Sequence, residues 1–190
     1  MKRRIKGETE KQTGIQNIEA SLCKELGIPS LRAGRITIRD EQNWRVNEKE
    51  IDYCWLINIA RSFAGWCWLF TIKFNKTKFR EIHNPDEVIQ GIFKFDKNSE
   101  IEAFTFRKKD NGFIDNIKEL NSVDLFNANT GITLGGISYE YFIFARNTQI
   151  SFFLNNPNSE NWKIWEKAVW ELGSELSKKS NSTTFQDIFQ

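Results

Sequence analysis

The fold is decided by residues 51–74, which read IDYCWLINIARSFAGWCWLFTIKF. From residue 51 to 60 the odd positions are large and apolar, whereas the even positions are smaller or more polar. The alternation resumes over Trp66–Phe74, after the short segment Arg61–Gly65. A period of two residues is typical of a β-strand, and a short connection that contains glycine is typical of a hairpin. The stretch therefore predicts a β-hairpin.

Alternating apolar segments elsewhere in the chain predict further strands, and short turn segments join most of them. These strands are expected at residues 35–39, 91–96, 101–107, 137–143 and 150–154. Because tight turns connect antiparallel neighbours, the sequence predicts a single antiparallel, mostly hairpin-linked sheet of about six to seven strands. A rival interpretation makes residues 48–63 a helix, and the capping pattern Asn47-x-x-Glu50 favours it.

Helical periodicity appears at both ends of the chain. Apolar residues at 15, 18, 22 and 26 share one face of a helix, which Gly27 and Pro29 end. A second helix is expected over roughly 160–178, and a short one within 113–125. We predict one α+β domain over residues 15–179, with the N-terminal and C-terminal helices on one face of the sheet. Residues 1–14 are interpreted as a mobile basic tail, and residues 180–190 as a flexible C-terminal tail.

Composition and charge exclude several classes of protein. A mean hydropathy of −0.53 argues against a membrane protein, and sixteen Phe and seven Trp argue against a disordered chain. The net charge of +2 argues against a dedicated nucleic-acid binder, which usually carries a marked basic excess. Three cysteines without a close pair indicate free thiols in a reducing compartment. No apolar segment follows the basic N-terminus, so we expect no signal peptide and a cytoplasmic location.

The motifs and spacings of common catalytic and metal sites are missing from the sequence. His83 is the single histidine, and no G-x-S-x-G elbow accompanies it. The segment Gly131–Gly136 lacks the spacing and the Lys-Ser/Thr ending of a phosphate-binding loop. No spacing of ligands predicts a metal site, so we expect neither a metal nor another cofactor. Nothing in the sequence specifies a reaction, so a non-enzymatic role is favoured over an enzymatic one.

The first candidate for binding is a surface on the C-terminal helix. Trp170 lies about 140° from Trp165 on a helical wheel, away from the apolar stripe. It falls among Lys163, Glu166 and Lys167. An exposed tryptophan on a charged face is a typical anchor for a protein interface. The alternative is that a neighbouring loop or the N-terminal segment covers this residue.

The chain termini supply two further candidates. Phe185, Ile188 and Phe189 follow a polar spacer, and they can dock as a short helix in the groove of a partner. Alternatively, this segment folds back onto its own domain and caps an exposed edge. At the N-terminus the basic residues can contact nucleic acid or an acidic partner, or they only aid solubility. These basic residues are Lys2, Arg3, Arg4 and Lys6.

The tryptophans of the predicted hairpin have a structural interpretation. Trp55, Trp66 and Trp68 are expected to fill a core, because residues 51–72 carry only Arg61 as a cation. Aromatic residues that stack nucleic-acid bases usually have several cations on the same face.

These observations together favour a non-catalytic protein-binding module, such as a small inhibitor, immunity protein or adaptor. Its partner is then another protein, and no membrane is involved. One alternative is an accessory protein that associates with nucleic acid. The other is a small enzyme or ligand carrier with an apolar pocket inside a curved sheet.

Overall fold

The computed structural model of the protein describes residues 6–39, 41–43, 45–75, 87–96, 100–109 and 135–190. In chain order the strands are β1 (Gly34–Arg39), β2 (Arg45–Arg61), β3 (Gly65–Asn75), β4 (Glu87–Phe95), β5 (Ile101–Lys109), β6 (Ile137–Ala145) and β7 (Thr148–Asn155). The helices of the described residues are α1 (Lys6–Leu26), α2 (Glu160–Ser180) and α3 (Thr183–Ile188).

All seven strands belong to one antiparallel sheet with the order β5-β4-β3-β2-β6-β7. Strand β1 pairs with the first part of β2, and β6 pairs with the second part. The predicted antiparallel, hairpin-linked sheet is therefore confirmed. The rival helix over residues 48–63 is wrong, because this segment lies in the long central strand β2, followed by the turn to β3.

A β-bulge in β2 determines which face of the sheet each side chain of this strand points to. The pairing of β2 with β3 shifts register between Ile51 and Tyr53, so Asp52 is the extra residue. Such a residue reverses the alternation of side chains along a strand. Ile51 therefore packs on the same side as α1, whereas the later odd residue Trp55 packs on the side of α2.

The two main helices cover opposite faces of the sheet, not the same face as expected. On one face α1 supplies Leu22 to a core that includes Leu56 and Phe70. On the other face α2 and α3 pack on a core that includes Trp55 and Tyr141. The physical reason is that the central strands are apolar on both sides, and two apolar faces need two covering layers.

The boundaries of the helices also differ from the expectation. Helix α1 begins at Lys6, so residues 6–14 continue a helix where a mobile tail over 1–14 was expected. These residues have no apolar period, but several are good helix formers that extend the packed part of the helix. The described residues do not include residues 1–5, the predicted helix within 113–125 or His83. Of the helices that the structure describes, none combines the length and apolar character required to cross a bilayer.

Candidate functional site

Trp170, the first candidate from the sequence, is occupied by contacts within the chain. Its indole N–H donates a hydrogen bond to the hydroxyl of Tyr139 over 2.8 Å. Its ring meets the ring of Phe189 edge to face, with 5.1 Å between the centroids. The guanidinium carbon of Arg61 lies 5.8 Å from the centre of the indole. Trp170 is thus half-buried, and the segment that covers it is the C-terminus of the chain.

The charged residues around Trp170 divide into two groups. Glu166 accepts a hydrogen bond of 2.5 Å from Tyr139, so this carboxylate also faces the sheet. Burial, followed by this hydrogen bond, raises the pKa of Tyr139 above the ordinary range of a phenol. Lys163 and Lys167 are exposed and form ion pairs along the helix with Glu160 and Glu171, at 2.8 and 3.8 Å. The predicted binding surface of Trp170, Lys163, Glu166 and Lys167 is therefore not one continuous exposed surface.

The C-terminal segment folds back onto the domain, which was the alternative to a flexible tail over 180–190. Phe185 and Ile188 are each 1% exposed and belong to the core on the α2 side. The ring of Phe189 packs directly on Gly173 of α2, where a β-carbon would lie 2.1 Å from it. Arg61 fixes the end of the chain, because its Nη1 donates to the carbonyl oxygens of Ile188 and Gln190 over 3.1 and 2.7 Å. Apolar burial explains this packing, and it leaves Phe185 and Ile188 closed to a partner.

The basic residues of the N-terminus remain a sequence prediction. Lys2, Arg3 and Arg4 lie outside the described residues, and Lys6 is the first residue of α1.

The turn between β2 and β3 presents the most exposed aromatic residue of the described chain. The N–H of Ala64 donates to the carbonyl of Arg61 over 3.2 Å and closes a four-residue turn. Phe63 is the third residue of this turn and has a φ of 67°. Positive φ at that position is the pattern of a type II turn, which favours glycine or asparagine. The Phe63 side chain is nevertheless 110% exposed.

The turn is held against the start of β6 by two hydrogen bonds. The N–H of Ser62 donates to the carbonyl of Gly136 over 2.9 Å. In return, the N–H of Gly136 donates to the hydroxyl of Ser62 over 3.0 Å. An open groove of about 350 Å³ lies beside this junction, lined by Ala60, Arg61, Ser62, Gly135, Gly136, Ser138 and Asn155. Phe63 thus extends from an anchored backbone beside a mostly polar groove.

Trp66 stands three residues after Phe63 and is 41% exposed. The expectation that Trp55, Trp66 and Trp68 all fill a core is therefore correct for Trp55 and Trp68, which are 1% and 4% exposed, and wrong for Trp66. Trp66 pairs with Ala60 next to the turn and belongs to neither buried core, whereas Trp68 packs in the core on the α1 side. We define the hairpin tip as residues 61–66.

The sequence carries a signal for the hairpin tip. The length of Arg61–Gly65 and its glycine predict a turn, but they do not explain the phenylalanine inside it. A large aromatic residue in a turn that favours small or polar residues conflicts with the local structure. Such conflicts concentrate at functional sites.

The described residues hold no candidate metal cluster, and their cysteines are buried. Within the described ranges, no three or more His, Cys, Asp or Glu side chains are grouped so that they could hold a metal ion. Cys23, Cys54 and Cys67 are free and buried. Burial raises the pKa of Cys23 to about 11 and that of Cys67 to about 12, so neither is a reactive thiolate.

No protein-family model matches this chain, and the comparison with curated proteins finds no match.

Proposed function

We propose that this protein is a non-catalytic protein-binding module and that the hairpin tip is its binding site. The observation that carries the proposal is Phe63, which is fully exposed and has a left-handed backbone on an anchored turn. In the proposed complex the Phe63 ring enters an apolar pocket of the partner. Trp66 extends the contact along β3.

Phe63 is unfavourable for the isolated molecule in two independent ways. Its ring gains nothing from burial, and a residue with a β-carbon at positive φ is strained by about 1–2 kcal/mol. Glycine or asparagine would relieve the strain at this position. A partner that buries the ring would offset both costs, because aromatic anchors supply much of the affinity of protein interfaces.

The hydrogen bonds between Ser62 and Gly136 suit this role. A turn that is held before binding loses little conformational freedom when the complex forms. The groove beside it is lined by polar residues that include Ser62 and Ser138. An aromatic centre next to a polar rim is the usual anatomy of an interface between proteins.

Other functions receive less support from the described residues. Arg61, the cation of the hairpin tip, is engaged by the carbonyl oxygens of Ile188 and Gln190, so it is not free for a phosphate. The large rings of the sheet pack in the two cores, which leaves little support for an apolar ligand pocket inside the sheet. Binding to nucleic acid through the N-terminal residues remains the alternative, and a steep loss of affinity with salt would reveal it.

The experiment begins with native mass spectrometry of the protein captured gently from its own cells. The expected result is a complex with a second polypeptide in fixed ratio. The affinity of that polypeptide is then measured for wild type, Phe63→Ala, Trp66→Ala and the control Ile164→Ala. Ile164 is a matched control because it is also apolar and is 58% exposed, but it lies on α2.

We expect Phe63→Ala to weaken binding by about 30-fold or more, the loss typical of an anchor residue. Ile164→Ala should leave the affinity within about twofold. Equal affinity of the wild type and both hairpin variants would refute the hairpin tip as the site. A protein captured with bound nucleic acid and no second polypeptide would refute the proposed function.

A further inference from the structure

Strand β7 forms one edge of the sheet, and among the residues that the structure describes no strand pairs with its outer side. We propose that two copies of this chain associate through antiparallel pairing of β7 with β7. In this dimer the outer side of β7 pairs with β7 of the second copy, and the two sheets become one. This surface is distinct from the hairpin tip.

The composition of β7 differs from that of the opposite edge. Strand β5 contains Glu102 and Arg107, and Ser182 next to α3 donates a hydrogen bond to Glu102 over 2.9 Å. Charges and covering contacts are the usual means by which an edge strand avoids pairing with another chain. The strand β7 reads TQISFFLN and has neither a charge nor a proline. Gln149 at the start of β7 accepts a hydrogen bond from Arg32, but residues 150–155 carry none of the charges that protect β5.

Two apolar side chains of β7 are open on opposite faces of the sheet. Ile150 lies on the side of α2 and is 41% exposed, and Phe153 lies on the side of α1 and is 62% exposed. Beside Phe153, an open groove of about 390 Å³ runs between α1 and β7, lined by Ile15, Glu140, Phe142, Gln149, Ser151, Phe152 and Phe153. A pairing strand would extend both faces and cover these groups.

Symmetry explains why a second copy fits this edge. A two-fold axis perpendicular to the sheet keeps corresponding faces together, so paired residues must point to the same side. Two registers meet this condition and overlap nearly the whole strand. If Ser151 lies opposite Ser151 of the second copy, Ile150 lies opposite Phe152. If Phe152 lies opposite Phe152 of the second copy, Ile150 lies opposite Leu154. Both arrangements place apolar residues opposite each other.

The absence of charge is the second requirement for self-pairing. Around a two-fold axis, a charged residue near the centre of β7 would lie close to its own copy, and like charges across a strand pair are destabilising. The eight residues of β7 avoid that repulsion at every position. The same axis places the two hairpin tips at opposite ends of the joined sheet. Self-association therefore leaves the proposed partner site free.

The test is sedimentation of the full chain at concentrations up to about 100 µM. We expect the wild type to approach twice the monomer mass of 22.3 kDa as concentration rises. Ser151→Lys should remain a monomer, because it places two positive charges near the axis in either register. Thr105→Lys is the matched control, since Thr105 is also exposed on an edge strand but lies on β5, and it should associate like the wild type.

A mixture of Ser151→Lys and Ser151→Glu should restore the dimer, although each variant alone is a monomer. This recovery depends on direct opposition of the two chains and also shows that both variants are folded. A wild type that remains monomeric over the whole range would overturn the proposal. A Ser151→Lys variant that still forms dimers, or a mixture that does not recover them, would also overturn it.

Discussion

Replacement of Phe63 by glycine should make the isolated protein more stable. Because Phe63 is 110% exposed, the substitution removes no packing. Its φ of 67° is unfavourable for a residue with a β-carbon by about 1–2 kcal/mol, and glycine has no such penalty. Glycine also increases the entropy of the unfolded chain, which offsets about 0.4–1 kcal/mol of this gain. The net gain in free energy of unfolding is therefore between about 0 and 1.6 kcal/mol, with a central value of about 0.8 kcal/mol.

The assay is urea unfolding followed by tryptophan fluorescence, together with thermal unfolding. For a chain of this size, 1 kcal/mol corresponds to a change in Tm of about 2–4 °C. Phe63→Ala is the control, because alanine has a β-carbon and stays in the same strained conformation. We expect its stability to lie within about 0.5 kcal/mol of the wild type.

A loss of more than about 0.5 kcal/mol in Phe63→Gly would contradict this reasoning. It would mean that the Phe63 ring packs on its own domain and is not presented to solvent. Equal gains in the glycine and alanine variants would also contradict it, since the backbone strain would then not be the cause.

Four further predictions test the closed C-terminus and the buried thiols. Phe185→Ala should lower the free energy of unfolding by about 3–5 kcal/mol in urea titrations, because a fully buried ring is removed; a flexible tail would show no change. Gly173→Ala should destabilise the protein and raise the rate of amide exchange in α3, since the new methyl group would displace Phe189. The thiols should react with a disulfide reagent at about pH 8 only after unfolding. Because the pKa of Cys23 and Cys67 rises from 9.0 to about 11 and 12 in the folded state, stability should be complete below pH 9.0 and should fall as the pH rises toward those values.

The sheet was predictable from the sequence because its signal is local. The alternation over residues 51–74 and the short turns specify antiparallel strands without any knowledge of the rest of the chain. The same stretch also held the reason for two covering layers. Leu56 and Phe70 are as apolar as Trp55, but they point to the other face, so one layer of helices could not bury them all.

The candidate site was not predictable in the same way. A helical wheel places Trp170 away from the apolar stripe, but it cannot show that Phe189 returns from the end of the chain to cover it. The alternation over residues 66–74 likewise does not show that Trp66, next to the turn, is left out of both cores. Phe63 was the exception, because an aromatic residue in a predicted turn was visible in the sequence.

The central claim is that Phe63 serves binding at the expense of stability. The most direct test measures the affinity of the captured partner for the same Phe63→Gly protein that is used in the unfolding assay. We predict a variant that is at least as stable as the wild type and binds the partner about 30-fold more weakly or worse. Unchanged affinity in this stable variant would contradict the claim, because no loss of folding could explain the result.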